Sequence, residues 1–203
     1  MNSRAQEGVW RALDLTIASV LVLCALPVLL TAIIAIAVSD PRSSVFFRQQ
    51  RTGRGGRRFS LYKLRTMCPD AEARKAELRE LSEVPWPDFR LNGDPRVTRL
   101  GRLLRRTSLD ELPQLFNVLR GDMALVGPRP TSFSADTYEP WQLERLEVRP
   151  GLTGPWQIDG RATVDFTGRC RMEIAYIRHP SLRRYVVLLV RTPMAVLRRT
   201  GVA

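Results

Sequence analysis

Two adjacent carboxylates, Asp110 and Glu111, are the side chains of this 203-residue sequence with the clearest capacity for chemistry. They lie in the segment 94–130, in which seven arginines surround four acidic residues. Such an excess of positive charge keeps carboxylates ionised and also attracts phosphate groups. A carboxylate that stays charged beside a phosphate can act as a nucleophile or hold a divalent cation.

The apolar residues around this pair predict two helices. Helical spacing is shown by Val97, Leu100, Leu103 and Leu104, and then by Leu109, Leu112, Leu115, Phe116 and Leu119. Thr107 or Ser108 can cap the second helix, and Ser108 with Glu111 fits a capping box. Because Pro113 is tolerated only near a helix start, both carboxylates are predicted in the first turn, where the helix dipole stabilises negative charge. Spacing alone favours these capping and dipole roles over catalysis, because capping boxes are common.

The composition limits the partners and the kinds of site. The net charge of +12 and the pI of about 11.0 predict anionic partners, which are nucleic acid, acidic lipid headgroups or phosphorylated substrates. Cys24, Cys68 and Cys170 are widely spaced, and their odd number without a metal-ligand pair indicates a reducing compartment. His179 is the single histidine, and this count argues against Ser-His catalysis and against a multi-histidine metal centre. His179 itself is interpreted as a surface residue.

An uncharged run of 24 residues, 15–38, predicts a membrane helix. As a helix it would reach about 36 Å, enough to span a bilayer, and it is too long for a signal peptide. Pro27 lies near its middle, where a proline removes a backbone hydrogen bond and kinks a helix. The segment 42–65 is strongly basic, which predicts a cytoplasmic location, and the other flank also contains arginines. Charge therefore leaves both a spanning and a re-entrant helix open.

The remaining segments give a coarse outline. The pattern predicts strand, turn and strand over 45–66, a short charged helix over 70–83 and a polar helix or helix-loop over 132–147. The loop 127–130 should present Arg129 rigidly between two prolines, and 149–157 is rich in Gly and Pro. Trp86 either reaches a membrane interface or packs in a loop. An amphipathic helix starting at Leu182, with Pro193 as a kink or break, lies either in the headgroup plane or on the core.

These stretches together resemble the bacterial sugar transferase family, the small monotopic phosphoglycosyl transferases. The matching pieces, in chain order, are the apolar helix with its central proline, VFFRQQRTG, FSLYKLRTM, DPRVTRLGRLLRRTSLDELPQLFNVLRGDM, LVGPRP, RPGLTGPWQIDGR and the final amphipathic run. The likeness covers nearly the whole chain, and the length is similar to the minimal catalytic form of the family.

The resemblance implies an α/β membrane-associated catalytic domain with amphipathic interfacial helices. Residues 1–40 would form the anchor, a re-entrant helix broken by proline. Residues 41–203 would form the catalytic domain on the cytoplasmic face of the bacterial inner membrane. Members of the family transfer a sugar-1-phosphate from a nucleotide diphosphate sugar, here expected to be a UDP-sugar, to a polyprenol phosphate such as undecaprenyl phosphate. The reaction would initiate exopolysaccharide, capsule or O-antigen assembly, and downstream glycosyltransferases would be further partners.

The resemblance also implies roles for individual residues. Asp110 would be the nucleophile that forms an aspartyl-phosphosugar intermediate and would bind Mg²⁺, and Glu111 would support the metal site or proton handling. The residues expected to bind substrate are Lys63, Arg65, Arg106, Arg129, Arg149, Gln157 and Arg161. Of these, Arg129 is expected near the polyprenol phosphate or the diphosphate, and Arg149, Gln157 and Arg161 on the nucleotide side.

The chain departs from the usual pattern of the family at four positions, and two other functions are open to it. Leu26 replaces a common serine before the helix-breaking proline, Glu173 replaces an aspartate, and Arg184 and Tyr185 replace a frequent acidic residue. A non-catalytic membrane scaffold of a glycan assembly complex is one alternative, against which the intact SLDELPQ argues. A nucleic-acid-binding protein is the other, against which the uncharged run and the absence of a nucleic-acid motif argue.

Overall fold

The computed structural model describes residues 4–82, 91, 93–160 and 164–197. The described helices and strands are α1 (Arg4–Ser39), β1 (Phe46–Thr52), β2 (Arg58–Leu64), α2 (Arg99–Thr107), α3 (Gln114–Arg120), β3 (Ala124–Val126), β4 (Gly151–Thr153), α4 (Phe166–Arg178) and α5 (Leu182–Leu197). The chain is thus a mixed helix and sheet protein with one long apolar N-terminal helix. Trp86 lies outside the described residues.

Two small sheets support the helices. β1 and β2 pair antiparallel from Phe46 opposite Leu64 to Thr52 opposite Arg58, which confirms the predicted strand, turn and strand. The turn between them contains Gly55 at a φ of 64°, a left-handed conformation that glycine adopts without steric cost. β3 and β4 form a short parallel pair, and β4 lies within the Gly- and Pro-rich segment 149–157, which was interpreted as a loop, so that interpretation is wrong for these three residues.

The helix α2 is held tightly against the end of β2. Thr98 caps it by accepting a hydrogen bond from the backbone N–H of Gly101 at 2.9 Å. A Cβ atom on Gly101 would lie 2.0 Å from the carbonyl oxygen of Thr66, so only glycine allows this close approach. The approach brings the last turn of α2 beside Thr66, whose hydroxyl accepts a hydrogen bond from Arg105.

The predicted capping box is wrong. Ser108 has a φ of 57° and ends α2, and its side chain makes no capping hydrogen bond to the following turn. A 3₁₀ turn over Leu109–Glu111 carries the two carboxylates, and α3 begins after Pro113. The proline therefore marks the start of a helix, as predicted, but the carboxylates precede that helix rather than lying in its first turn.

Both ends of α1 contact the rest of the protein, while its middle is exposed. Near its N-terminus, Arg11 donates to the carbonyl oxygens of Val118 and Leu119 at 2.7 and 2.9 Å. Near its C-terminus, Arg65 donates to the carbonyl oxygens of Ile36 and Asp40. The helix continues through Pro27, and it is the one described helix long and apolar enough to cross a membrane. The re-entrant course stays a prediction.

Two apolar clusters form the core. The first contains Ala18, Phe59, Leu61, Leu115, Val118, Met123, Leu125, Val126, Tyr176, Tyr185 and Leu188. The second contains Leu29, Ala32, Ile36, Leu64 and Leu104. Both clusters include residues of α1, so the helix packs on the body of the protein through two separate patches.

The other helix predictions are partly confirmed. Helix α5 is present and continues through Pro193, whereas its location in the headgroup plane stays a prediction. The predicted charged helix over 70–83 is wrong for its described part, which contains 3₁₀ turns at Ala73–Lys75 and Arg79–Leu81. The segment 132–147 also forms 3₁₀ turns. Helix α4 was not predicted, because charged residues interrupt its apolar spacing.

Candidate active site

The two adjacent carboxylates lie in the wall of the main cavity. Asp110 and Glu111 are only 6% and 9% exposed, although both are acidic. The cavity has a volume of about 800 Å³ and is lined from β1, β2, α2, the 3₁₀ turn 109–111, the loop after β3 and α4. Buried acidic side chains are uncommon unless they are paired or serve a function, so the contacts of these two residues decide their role.

Two cations share one oxygen of Glu111. Lys63 of β2 donates from Nζ to Oε1 of Glu111 at 2.8 Å, and Arg129 donates from Nη2 to the same oxygen at 2.9 Å. The Lys63 ammonium is also 3.9 Å from Oδ2 of Asp110. Lys63 therefore lies beside both carboxylates and is closer to Glu111 than to Asp110.

These charges determine the ionisation of Glu111. Burial alone would raise the pKa of Glu111, but the charges and hydrogen bonds of Arg129 and Lys63 lower that pKa well below its ordinary value of 4.5. The same pairing raises the pKa of Arg129, because its charge is stabilised by Glu111 against the cost of burial. Glu111 is consequently a carboxylate at neutral pH and acts as the anchor of two cations.

A buried ion pair fixes the backbone of Arg129. The carboxylate of Glu173, on α4, accepts a hydrogen bond from the backbone N–H of Arg129 at 2.8 Å. The guanidinium of Arg145 bonds the same carboxylate at 2.7 Å and donates to the carbonyl oxygen of Arg129, also at 2.7 Å. Pro128 and Pro130 restrict the backbone on both sides. The ion pair thus adds to the two prolines a constraint on the loop that the sequence does not show.

Further charged residues line the cavity wall. Arg96 and Asp94 form a buried pair at 2.7 Å, and this pairing lowers the pKa of Asp94 despite its burial. Arg105 donates to the Thr66 hydroxyl at 2.9 Å and is electrostatically attracted to Asp110. Arg65, which also lines the cavity, pairs with Asp40 at 3.3 Å and so ties this wall to the end of α1.

Part of the cavity wall is aromatic. Phe133 and Phe166 pack edge to face with ring centroids 5.5 Å apart. The guanidinium of Arg169 lies 4.9 Å from the ring centroid of Trp156 and 5.6 Å from that of Phe166. The cavity thus combines cations near the carboxylates with a cation and aromatic cluster, a combination suited to a nucleotide-linked anion.

Residues 5–199 match the family described as bacterial sugar transferase. This chain belongs to that family. It is 36% identical to the undecaprenyl-phosphate galactose phosphotransferase of Salmonella typhimurium, over 99% of this chain and 43% of the relative. It is 41% identical to the UDP-glucose:undecaprenyl-phosphate glucose-1-phosphate transferase of Caulobacter vibrioides, over 92% and 69%. It is 37% identical to the exopolysaccharide production protein ExoY of Rhizobium meliloti, over 92% and 84%. The chain therefore spans about two fifths of the Salmonella relative.

The structure brings together five of the residues singled out in the sequence. Asp110, Glu111, Lys63, Arg65 and Arg129 all line this cavity. Their convergence from the end of β2, a turn and a loop is what a shared site requires.

Of the four other predicted residues, three do not line the cavity, and the fourth lies outside the described residues. Arg106 is exposed on α2 and is not among the residues that line the cavity, whereas its neighbour Arg105 is. Arg149 is half-buried, and its charge acts on Glu7, Arg11 and Asp14 of α1. Gln157 is buried, and its Nε2 donates to the carbonyl oxygen of Leu152 at 3.2 Å. Arg161 lies outside the described residues.

Sequence reasoning did not assign several residues of the cavity wall, namely Arg51, Arg105, Arg145, Arg169 and Glu173. A weak signal existed for Arg51, because Gln49 and Arg51 are two residues apart and so share one face of a predicted strand. Glu173 stood out as a departure from the family, but nothing in its surroundings along the chain indicates a partner more than forty residues away at Arg129.

The predicted Mg²⁺ site can be tested against the available side chains. Among the described residues there is no group of three His, Cys, Asp or Glu that could hold a metal. Mg²⁺ is commonly bound by one or two carboxylates together with substrate phosphates, so a single aspartate beside a diphosphate is a sufficient protein contribution. Because Oε1 of Glu111 already accepts from two cations, Asp110 is the carboxylate that fits this role.

Proposed function

We propose that this protein transfers a sugar-1-phosphate from a nucleotide diphosphate sugar, most simply a UDP-sugar, to undecaprenyl phosphate. The observation that carries the proposal is the pair of buried carboxylates in a cavity rich in arginine, with one carboxylate committed to two cations. Family membership and the names of the Salmonella and Caulobacter relatives support the reaction type. The name of ExoY also supports a role in exopolysaccharide production.

Asp110 would act as the nucleophile in the first step. A carboxylate oxygen attacks the phosphorus that bears the sugar, and the bond from that phosphorus to the bridging oxygen breaks. Nucleoside monophosphate leaves with the bond electrons, and a phosphosugar remains on Asp110. The step needs no proton transfer, since a carboxylate replaces a phosphate oxygen. In-line positioning and charge neutralisation are what such a transfer mainly requires.

The second step would restore the enzyme. An oxygen of the lipid phosphate attacks the same phosphorus, and the bond to Asp110 breaks, which gives the diphosphate-linked lipid and the free carboxylate. Because the two substrates react in turn, the water-soluble donor and the lipid acceptor need not be bound together. Lys63 and Arg129, oriented by Glu111, would hold the phosphate oxygens in both steps.

Asp110 would hold a Mg²⁺ ion, which would supply further neutralisation of the diphosphate charge. Glu111 contributes by keeping Lys63 and Arg129 in place. Its low pKa makes it a poor proton carrier at neutral pH, so the anchoring role is preferred over proton handling.

The helix α1 would enter the cytoplasmic leaflet and return to the same face. Both of its ends contact one protein body, through Arg11 at one end and Asp40 at the other, while Leu23 and Leu26 in the middle are exposed. A helix that emerged on the opposite face would have to give up one set of these contacts. The arrangement would hold the cavity at the membrane surface, where the lipid phosphate lies.

The decisive experiment measures nucleoside monophosphate release by the protein in detergent. The assay contains undecaprenyl phosphate, Mg²⁺ and a panel of UDP-sugars, and Asp110→Asn is the matched variant. We expect monophosphate from one sugar, multiple turnovers only with lipid, and no release by Asp110→Asn. Nucleoside diphosphate as the product would instead mean ordinary glycosyl transfer. Full activity in Asp110→Asn would remove the nucleophile assignment.

A further inference from the structure

An arginine without an assigned role, Arg51, lines the same cavity from β1. Its guanidinium donates to the side-chain oxygen of Gln49 and, at 3.4 Å, to the carbonyl oxygen of Pro130. Its Nε is buried and has no hydrogen-bond partner among the described residues. Both of its partners are neutral, so the hydrogen-bonding capacity of its guanidinium is incompletely used.

The charge of Arg51 is also not neutralised locally. No carboxylate of the described part of the chain forms an ion pair with it, although Lys63, Arg129 and Arg145 each have one. Burial, and after it the neighbouring charge of Arg129, lower the pKa of Arg51 to about 10, because the attraction of Glu111 does not offset them. Arg51 is still protonated at neutral pH, and a buried cation beside another cation costs free energy unless an anion joins them.

The position of β1 indicates which anion this is. The strand begins at Phe46 and Phe47, which line the cavity and are 41% and 44% exposed, and it follows the end of α1 by only a few residues. Arg51 is four residues further along, about 13 Å at the rise of a strand. An apolar chain can therefore leave past the two phenylalanines toward the membrane helix while its phosphate reaches Arg51.

We propose that Arg51, together with Arg129, binds the phosphate monoester of the polyprenyl acceptor. The inference rests on the proposed function for the identity of the acceptor. The guanidinium of Arg51 would donate to phosphate oxygens. The guanidinium of Arg129 would contact both the phosphate and Glu111. The donor nucleotide would occupy the part of the cavity lined by Trp156 and Arg169.

The test measures equilibrium binding, so that it does not depend on turnover. The full-length Asp110→Asn protein in detergent is titrated with undecaprenyl phosphate, with undecaprenol and with uridine monophosphate. The same titrations are made with Arg51→Gln and Arg51→Lys added. Arg48→Gln is the matched control, because Arg48 is an exposed arginine of the same strand that does not line the cavity.

We expect Arg51→Gln to weaken undecaprenyl phosphate binding roughly tenfold to a hundredfold, as expected for loss of hydrogen bonds to a charged group. Arg51→Lys should lose less, because it keeps the charge but not the planar fork. Undecaprenol and uridine monophosphate binding should be unchanged, and Arg48→Gln should behave as the parent. Equal lipid phosphate affinity with and without Arg51 would overturn the proposal, as would a loss confined to uridine monophosphate.

The two proposals fail in different ways. If no UDP-sugar yields monophosphate but Arg51→Gln still weakens the binding of the phosphorylated lipid alone, the reaction is wrong and the lipid phosphate site stands. If monophosphate is released and the lipid titrations do not respond to Arg51, the reaction stands and the Arg51 site is wrong.

Discussion

The backbone N–H of Arg129 donates to Oε1 of Glu173 at 2.8 Å, so a carboxylate on α4 holds the loop that presents Arg129 to Glu111. Arg145 completes the connection, because it bonds both the carboxylate of Glu173 and the carbonyl oxygen of Arg129. Glu173 is 1% exposed and Arg145 is 4% exposed. These two residues do not reach the carboxylates themselves, and we infer that they act on the reaction through the position of Arg129.

This inference predicts separate effects on stability and on catalysis. Glu173→Met should destabilise the protein by about 3–5 kcal/mol, because it leaves the charge of Arg145 buried without its partner. The double variant Glu173→Met/Arg145→Met should recover much of that stability, since both charges are gone. It should still have a strongly reduced kcat, because Arg129 has lost both of its backbone contacts. Thermal unfolding and kcat are measured on the same preparations; a double variant with normal kcat would assign the pair to stability alone.

The neighbouring arginines Arg105 and Arg106 make a matched comparison. Arg105 lines the cavity and bonds Thr66, whereas Arg106 is exposed on the same helix. Arg105→Met should lower kcat/KM for the UDP-sugar by roughly tenfold or more, which is the effect expected for removing a charged group near a phosphate. Arg106→Met should change it less than about twofold. A larger effect of Arg106→Met than of Arg105→Met would support the prediction that Arg106 binds substrate. It would contradict the orientation of α2, in which Arg105 lines the cavity.

The sequence pointed to Arg106, but the residue that lines the cavity is Arg105, and this error shows a limit of sequence reasoning. Motifs identified Asp110, Glu111, Lys63 and Arg129, and alternating polarity identified the β1 and β2 pair. On a helix, adjacent residues point about 100° apart, so an error of one position exchanges a cavity residue for an exposed one. Only packing fixes that rotation, here through the contact of Gly101 with the backbone of Thr66.

Other features escaped prediction for equally physical reasons. Strands β3 and β4 have three residues each, too few to show a period. Ser108 adopts a left-handed conformation that is uncommon outside glycine, and this conformation excludes the capping box. The Glu173 partnership joins residues 44 positions apart, and such long-range pairs leave no local pattern in one sequence.

The low pKa of Glu111 predicts a pH dependence of stability. The folded protein holds this carboxylate well below its ordinary pKa of 4.5, so its ion pairs stabilise the fold fully above that value. The stabilisation is lost as the pH falls through the lower, folded-state pKa. The difference in unfolding free energy between the wild type and Glu111→Gln should therefore be constant from about pH 6 to 8 and should shrink below about pH 4.5. Denaturant unfolding of both proteins across this range measures it; a difference that grows on acidification would contradict the pairing.

A re-entrant α1 predicts that residues on both of its flanks lie on the cytoplasmic face. Gly8 and Arg42 are exposed on opposite sides of the apolar run, and a Cβ atom on Gly8 meets no neighbour within 4 Å. Gly8→Cys and Arg42→Cys are introduced separately into a chain with Cys24→Ala and Cys68→Ala. Cys170 stays, because it is fully buried.

Labelling with a membrane-impermeant maleimide then distinguishes the two courses of the helix. Both cysteines should be labelled in inside-out membrane vesicles, and neither in right-side-out vesicles. A spanning helix would reverse the result at Gly8→Cys alone and would be incompatible with the hydrogen bonds from Arg11 to α3, since Val118 and Leu119 belong to the same body as Arg65. The expected pattern would place the cavity mouth at Phe46 and Phe47 beside the leaflet that contains the lipid phosphate.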